Sequence, residues 1–202
     1  LPATPSFDGR LIDICRLSNI VSSIEGAVSQ IDAAQAVLVL RPQTAASEDL
    51  TCKRALVDDP SEVELLGVSF SQRPARWYDE WCDALGADPT AATVITTPEF
   101  GDDDLDDRDL GVETVATPSN LTGVGVKTTP YLNEWSDAVV AVESLTVLLQ
   151  YTSPQVVYRF LHVLTTRIQT TSSAGQFYLD PTIQDDQTVD LLTTLFDVVV
   201  EC

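Results

Sequence analysis

Short apolar runs alternate with helical patterns along most of the chain. The runs lie at residues 37–40, 63–70, 92–97, 112–116, 138–142, 176–179 and 198–200, and turn residues bound them. Such runs are typical of strands that are buried on both faces. Between them, apolar residues recur at helical spacing. This alternation predicts an α/β fold of three layers, with a mostly parallel sheet of about seven strands and helices on both faces.

The length of the chain fits one domain, 1–202, since domains of about 100–200 residues are common. Before the first apolar run, Ile20, Ile24, Ala27, Val28 and Ile31 fall on one helical face. Residues 1–35 are therefore predicted to form an N-terminal helical extension, with the segment 10–33 packed on one edge of the core.

The charge is strongly negative, with 11 basic and 31 acidic residues and a net charge of −20. Such a field disfavours nucleic acids and anionic membranes as partners. Only two of the basic residues are lysines, Lys53 and Lys127. Excess acid with scarce lysine is typical of proteins from salt-rich cytosol, where a Debye length of about 3 Å at 1 M salt screens self-repulsion. We therefore expect a salt-adapted protein whose acidity says little about its partners.

The sequence also predicts a cytoplasmic location without membrane insertion. No apolar stretch reaches the roughly 18 residues that a membrane span needs, and the start LPATPSFDGR has no long apolar segment. Four separated cysteines without a C-x-x-C pair indicate reduced thiols. A zinc site is not expected, because the chain has a single histidine.

The bend after the first apolar run has the outline of a phosphate-binding loop without its chemistry. Such a loop needs glycines, a lysine for the outer phosphates and a Ser or Thr for magnesium. RPQTAASEDL, 41–50, contains neither glycine nor lysine, and it places Glu48 and Asp49 near the predicted helix start, which repels a triphosphate. A capped helix start is the preferred interpretation.

Two further segments look like parts of an ATPase site. DAVVAVESLTVLLQY, 137–151, resembles the acid-ended strand of RecA/KaiC-type ATPases, with Glu143 where an aspartate is usual and Thr146 after it. In VSFSQRPARWYDEW, 68–81, Ser71 and Gln72 stand where KaiC-type domains carry paired glutamates. Neither side chain titrates near neutral pH, so neither can act as a general base.

The later segments carry the broadest resemblance. PSNLTGVGVKTTPYLNEW, ESLTVLLQYTSPQVVYRFLHVLTTRI and FYLDPTIQDDQTVDLLTTLFDVVVE are similar to haloarchaeal proteins of unknown function in the RecA superfamily, described as KaiC-like. The likeness spans residues 36–202 and is strongest over 158–164. It implies a P-loop NTPase core that lacks a working P-loop, with no catalytic residue, metal or cofactor to assign. The vestigial nucleotide-site positions are Gln43, Thr44, Ser47, Glu143 and Thr146.

Three functions follow as hypotheses. The leading one is a non-catalytic, ATPase-derived regulatory or scaffolding protein that acts through protein–protein interaction in a halophilic archaeon. The alternative is an atypical nucleotide-binding ATPase or sensor, with Glu143 and Thr146 beside a cation and Gln43, Thr44 and Ser47 lining the phosphates. A DNA-binding recombination accessory is the third, and the charge opposes it. We expect a monomer or a homodimer rather than a hexameric ring.

Other candidate residues have simpler structural interpretations. His162 is expected to be structural, because no nucleophile elbow accompanies it. Trp77 and Trp81, four residues apart, are expected in the core. Asn120 or its neighbour Ser119 is expected to cap a helix, as is Asp185. The run GDDDLDDRDL, 101–110, lacks the register of a calcium loop and is expected to be a solvated loop.

Overall fold

The structure is a computed structural model, and it describes residues 20–21, 34–42, 53–54, 57, 59–60, 62–101, 105, 108–136 and 138–201. Its strands are β1 Ile20–Val21, β2 Ala36–Leu40, β3 Glu64–Ser69, β4 Ala91–Thr96, β5 Gly111–Thr114, β6 Ala138–Glu143, β7 Ala174–Leu179 and β8 Val198–Glu201. Its helices are α1 Pro74–Leu85, α2 Pro98–Gly101, α3 Leu121–Glu134, α4 Leu145–Tyr151, α5 Pro154–Thr170 and α6 Asp186–Thr193, and a 3₁₀ turn covers Pro181–Ile183.

The strands form one sheet in the order β1-β8-β2-β7-β6-β3-β4-β5, and every neighbouring pair is parallel. Seven strands span four to six residues and the edge strand β1 spans two. The seven apolar runs of the sequence each coincide with one of the longer strands, within a few residues at each end. The predicted three-layer α/β architecture is confirmed, and its sheet is parallel throughout the described strands.

Helices cover both faces of the sheet because alternate side chains of each buried strand point to opposite sides. One core cluster contains Trp77 and Trp81 of α1 with Val139 and Ala141 of β6. The other packs α3, α4, α5 and α6 against the opposite face of the sheet, where Val140 and Val142 point. We call these two sides the α1 face and the α5 face.

The α1 face depends on a close approach between a strand and a helix. Trp77 is fully buried and its indole lies on Gly67 of β3. A Cβ atom at position 67 would lie 2.4 Å from Cζ2 of Trp77. A glycine is therefore required at position 67, since any side chain there would clash with the indole of Trp77 and displace it.

Local signals at the helix ends agree with the sequence. The Asn120 side chain accepts a hydrogen bond from the Gly123 amide at 3.0 Å and caps α3. Asp185 caps α6 by accepting from the Thr188 amide at 2.9 Å. The predicted cap at Asp185 is confirmed, and so is Asn120 as one of the two residues proposed to cap α3.

The N-terminal segment differs from its prediction at the two positions that the structure describes. Ile20 and Val21 pair in parallel with Val199 and Val200 of β8, so they form a strand rather than part of a helix. The physical reason is that β8 would otherwise be the edge of the sheet with unpaired backbone N–H and C=O groups, and residues 20–21 pair with that side of it. The remainder of the predicted extension, 1–35 with its helical part 10–33, lies outside the described residues, apart from 34–35. Among the described helices, none has both the length and the apolar character that crossing a bilayer requires.

Candidate functional site

The candidate site lies at the carboxyl ends of β3 and β6, on the α1 face. β3 leads into α1 on one face of the sheet, whereas β6 leads into α4 and α5 on the other. Ligands of open α/β sheets bind at such reversals, outside the carboxyl ends of the strands. Ser69, the last residue of β3, lies directly beside Glu143, the last residue of β6. The fold therefore places the predicted position Glu143 where a ligand site is expected.

A buried lysine occupies this place. The side chain of Lys53 is 1% exposed, and its Nζ lies 3.5 Å from Oε1 of Glu143 and 3.7 Å from Oε2 of Glu80. The ammonium also lies 5.2 Å from the centre of the Trp81 ring, within the range of a cation–π contact. Trp81 completes the group by donating from Nε1 to Oε1 of Glu143 at 3.0 Å. We call these four residues the Lys53 cluster.

The second carboxylate of the cluster is held in its ionised form. Burial raises the pKa of Glu80, but the hydrogen bond from Arg76, the charge of Lys53 and a hydrogen bond from Gln72 outweigh it. The pKa therefore lies below its ordinary value of 4.5. Arg76 Nε donates at 2.9 Å and Gln72 Nε2 at 3.3 Å. A carboxylate with a lowered pKa is a poor general base at neutral pH.

A second polar contact anchors the backbone of the lysine. Tyr178 donates its hydroxyl proton to Oε1 of Gln176 at 2.6 Å, and Nε2 of Gln176 donates to the carbonyl of Lys53 at 3.3 Å. Both side chains project from β7 and are buried. The guanidinium of Arg41, just after β2, lies 5.6 Å from the centre of the Tyr178 ring. The lysine is thus tied to β7 through its backbone and to β6 and α1 through its ammonium.

The predicted position Thr146 lies near Glu143 in sequence but has a separate role. Thr146 is fully buried in the first turn of α4, and its Oγ1 accepts a hydrogen bond from the Asp180 amide at 2.8 Å. Ser144 caps the same helix by accepting from the Val147 amide at 3.3 Å. The peptide bond between Glu143 and Ser144 is cis. Thr146 therefore ties the start of α4 to the end of β7.

The predicted positions Gln43, Thr44 and Ser47 lie outside the described residues, as do Glu48 and Asp49. Sequence reasoning missed Lys53 and Glu80 as functional candidates. Lys53 had one signal, as one of two lysines in a chain of 202 residues. Glu80 also had a signal, because it directly precedes Trp81 on a helix whose tryptophans were expected in the core.

Three hydroxyls lie buried along the same edge of the sheet. Ser69 ends β3, Thr96 ends β4 and Thr97 follows it, and each side chain is at most 2% exposed. Within the described residues, none of the three oxygen atoms has a hydrogen-bond partner. Buried hydroxyls are normally satisfied, so these atoms mark a polar region beside the Lys53 cluster.

The acid and the hydroxyl near the end of β6 are engaged by groups of the chain itself. Glu143, the acid available at the end of β6, contacts an ammonium and an indole N–H, and the Thr146 hydroxyl is engaged by a backbone amide. Across the described residues, no group of three or more His, Cys, Asp or Glu side chains is arranged to hold a metal ion. The cation beside Glu143 is thus a side chain of the chain itself.

The remaining sequence candidates have structural roles. Trp77 and Trp81 are fully buried, which confirms their prediction as core residues. His162 is exposed on α5 and stacks on Tyr158, with ring centres 6.4 Å apart. Cys82 is a free thiol, and burial is the main cause that raises its pKa to about 11, so it is a weak nucleophile at neutral pH.

Comparison with solved structures supports the architecture. The chain is similar to the uncharacterized protein PH0321 from Pyrococcus horikoshii, crystallised in complex with an unknown peptide. That similarity has a TM-score of 0.53 and 12% identity, over 90% of this chain and 84% of the other. A likeness to the DUF1998 helicase MrfA has a TM-score of 0.48 and 12% identity, over 93% of this chain and 31% of the other. No curated protein matches. The similarity to PH0321 supports the predicted parallel α/β fold.

Membership of a family rests on the sequence itself. Residues 34–202 match a family of unknown function over β2 to β8, a range that includes the whole Lys53 cluster. The chain belongs to the family of unknown function DUF7504.

Proposed function

We propose that this chain is a non-catalytic descendant of a RecA/KaiC-type ATPase that works as a regulatory or scaffolding protein in the cytoplasm of a salt-adapted archaeon. The observation that carries the proposal is the contact of the Lys53 ammonium with Glu143 and Glu80. An ATPase needs a cationic side chain for phosphates and an acid for magnesium. Here the ammonium of Lys53 lies beside the carboxylates of Glu143 and Glu80 instead.

A bound nucleotide would have to compete with this internal ion pair. Lys53 is 1% exposed and Glu143 is 12% exposed, so separating them leaves a carboxylate in a poorly solvated place. Breaking a buried pair by removing one partner costs about 3–5 kcal/mol. That cost would be subtracted from the affinity of a magnesium–nucleotide complex. A site of this kind favours a structural role for the two charged groups.

Contact with other proteins is the role that remains for a RecA-like fold without triphosphate chemistry. PH0321, which shares the fold at 12% identity, was crystallised with an unknown peptide. A peptide is therefore a reasonable class of ligand to test. The net charge of −20 repels phosphate backbones, but molar salt screens that repulsion, so the charge argues against nucleic acids mainly at low salt.

Isothermal titration of the full chain with MgATP and with MgADP in molar potassium chloride tests the proposal. We expect no saturable heat for either nucleotide. Dissociation constants in the micromolar range would overturn the non-catalytic function. Affinity purification of the tagged chain from its own cell tests the contact with proteins. Recovery of nucleic acid alone would contradict it.

A second candidate function is an atypical nucleotide sensor. The observation that favours it is the group of buried hydroxyls of Ser69, Thr96 and Thr97, which could receive a ligand beside Lys53. Under this hypothesis the titration shows binding, and Thr96→Val weakens it. A Thr165→Val variant is the matched control, since that buried hydroxyl donates to the His162 carbonyl within α5 on the opposite face of the sheet.

A further inference from the structure

The acidic residues of this chain are distributed unevenly. The chain has 31 Asp and Glu residues, yet none lies in 114–133 or in 144–179. These two stretches supply almost all of α3 and the whole of α4 and α5, which cover one side of the sheet. In the same stretches the basic residues are Lys127, Arg159 and Arg167. Three of the four helices on the α5 face are therefore neutral or basic, and the fourth, α6, carries Asp186 and Asp190.

The same helices expose apolar side chains. In the part of the chain that the structure describes, five large apolar side chains are markedly exposed, and four of them lie in the acid-free stretches: Val126 at 66%, Val163 at 59%, Tyr151 at 56% and Val156 at 40%. The fifth is Ile183 at 55%, in the 3₁₀ turn. Clustered exposed apolar groups, unlike scattered ones, indicate an interaction site.

A groove between α3 and α5 lies on this side of the molecule. Its volume is about 250 Å³, and it is lined by Thr122, Gly125, Val126, Thr128, Thr129, Phe160, Val163, Leu164 and Arg167. The absence of a side chain at Gly125 keeps the groove open, since a Cβ there would meet no atom within 4 Å. Val156, Phe160, Val163 and Arg167 recur at helical spacing and form one stripe along α5. The α3–α5 surface is this groove with the exposed valines Val126, Val156 and Val163.

We propose that the α3–α5 surface is the contact between two copies of this chain in a symmetric homodimer. Two chains of charge −20 repel each other wherever their acidic surfaces meet, and that repulsion is least where both surfaces lack acids. A two-fold contact uses the same patch on both copies. Each copy offers protruding valines and an open groove, so the patch can complement itself. This inference does not rest on the Lys53 cluster, which lies on the α1 face.

The dimer has a defined salt dependence. The Debye length is about 10 Å at 0.1 M salt and about 3 Å at 1 M, so added salt removes most of the repulsion between the two acidic bodies. The apolar contact is not weakened by this screening. We therefore expect association to strengthen as salt rises, which is the reverse of a contact made by opposite charges.

Sedimentation equilibrium of the full chain in about 0.1 M and about 1 M potassium chloride tests the proposal. The variants are Val163→Asp and Val126→Asp, with Ile183→Asp as the matched control. All three place one added carboxylate at a residue that is more than half exposed. Circular dichroism checks that each variant keeps its helices.

We expect the native chain and Ile183→Asp to form dimers of equal affinity in the higher salt. Each aspartate in the α3–α5 surface occurs twice in a symmetric contact. A tenfold loss per site, equivalent to about 1.4 kcal/mol, gives a roughly hundredfold weaker dimer. A native chain that stays monomeric in both salts would overturn the proposal. A dimer that Val163→Asp and Val126→Asp leave intact would overturn it as well, because the contact would then lie elsewhere. Neither result bears on nucleotide binding.

Discussion

Replacing Lys53 by methionine tests whether its ion pairs stabilise the fold as buried pairs do, or contribute as little as pairs on the surface. Methionine keeps the apolar stem that lies over Trp81 and removes the charge. Glu143, 12% exposed, then loses a cation 3.5 Å away, and Glu80 loses one at 3.7 Å. At an effective dielectric constant of about 20, one such contact amounts to roughly 4–5 kcal/mol before desolvation is counted.

The net loss of stability on substitution is smaller than this contact energy, because taking the lysine charge out of water costs free energy in the native protein. Removing one member of a buried pair typically costs about 3–5 kcal/mol, since the remaining charge stays in a poorly solvated place. We expect Lys53→Met to lower the free energy of unfolding by that amount. A domain of this kind has a total stability of about 5–15 kcal/mol, so the variant should still fold. Urea unfolding in molar potassium chloride measures the change.

The other lysine provides the matched control. Lys127 pairs with Glu113, but both side chains are about one third exposed. Lys127→Met is expected to cost about 0–1 kcal/mol, and this cost should shrink with salt, whereas the Lys53 effect should persist. A double-mutant cycle of Lys53→Met with Glu143→Gln should give a coupling of about 1–3 kcal/mol. Equal costs for the two lysine variants, or a coupling near zero, would refute the reasoning.

Three further substitutions test the fold. Gly67→Ala should cost about 1–3 kcal/mol in urea unfolding and alter the near-ultraviolet circular dichroism of Trp77, because the new Cβ lies 2.4 Å from the indole. Gly125→Ala is its control and should stabilise the chain by about 0.5–1 kcal/mol, since a helical alanine there meets no neighbour. Thr146→Val should cost about 1–3 kcal/mol, because a buried backbone amide loses its acceptor. An unchanged stability of Thr146→Val would contradict a stabilising hydrogen bond between the Asp180 amide and Thr146. Burial raises the pKa of Glu113, but its lysine and tyrosine partners lower it further, so that it lies below its ordinary 4.5. The resulting stabilisation is present above pH 4.5 and is lost as the pH falls through the lowered pKa. Glu113→Gln should therefore reduce the acid dependence of urea unfolding below that pH, and an identical pH profile would count against it.

The strands could be predicted because their signal is local. A run of apolar residues between turn residues indicates a strand without knowledge of its neighbours, and each predicted run is a strand here. The expected burial on both faces fails for β5, whose residues are exposed or half-buried at the edge of the sheet. Helix ends could be predicted for the same reason, since the capping residues Asn120 and Asp185 lie within three residues of the amides that they bind. Trp77 and Trp81 were placed in the core because they share one helix face and large aromatic side chains are usually buried.

The Lys53 cluster could not be predicted because its members are distant in sequence. Glu80 lies on the helix after β3 and Glu143 at the end of β6, and only the sheet order brings both carboxylates to one lysine. Composition favours an exposed lysine, since lysine is rarely buried. The edge strand at Ile20–Val21 escaped prediction for a similar reason, because its hydrogen bonds depend on β8 at the far end of the chain.

The ion pair also connects the elements that meet at the carboxyl edge of the sheet. In the described structure, the Lys53 cluster joins three elements at the carboxyl edge: the segment around Lys53, helix α1 and strand β6. A side-chain cation supplies this connection from within the chain, so removing its charge should loosen the edge. On the opposite face of the sheet, the α3–α5 surface combines exposed apolar side chains with stretches that contain no acidic residue. The two regions can therefore be tested separately, the Lys53 cluster by stability and the α3–α5 surface by association.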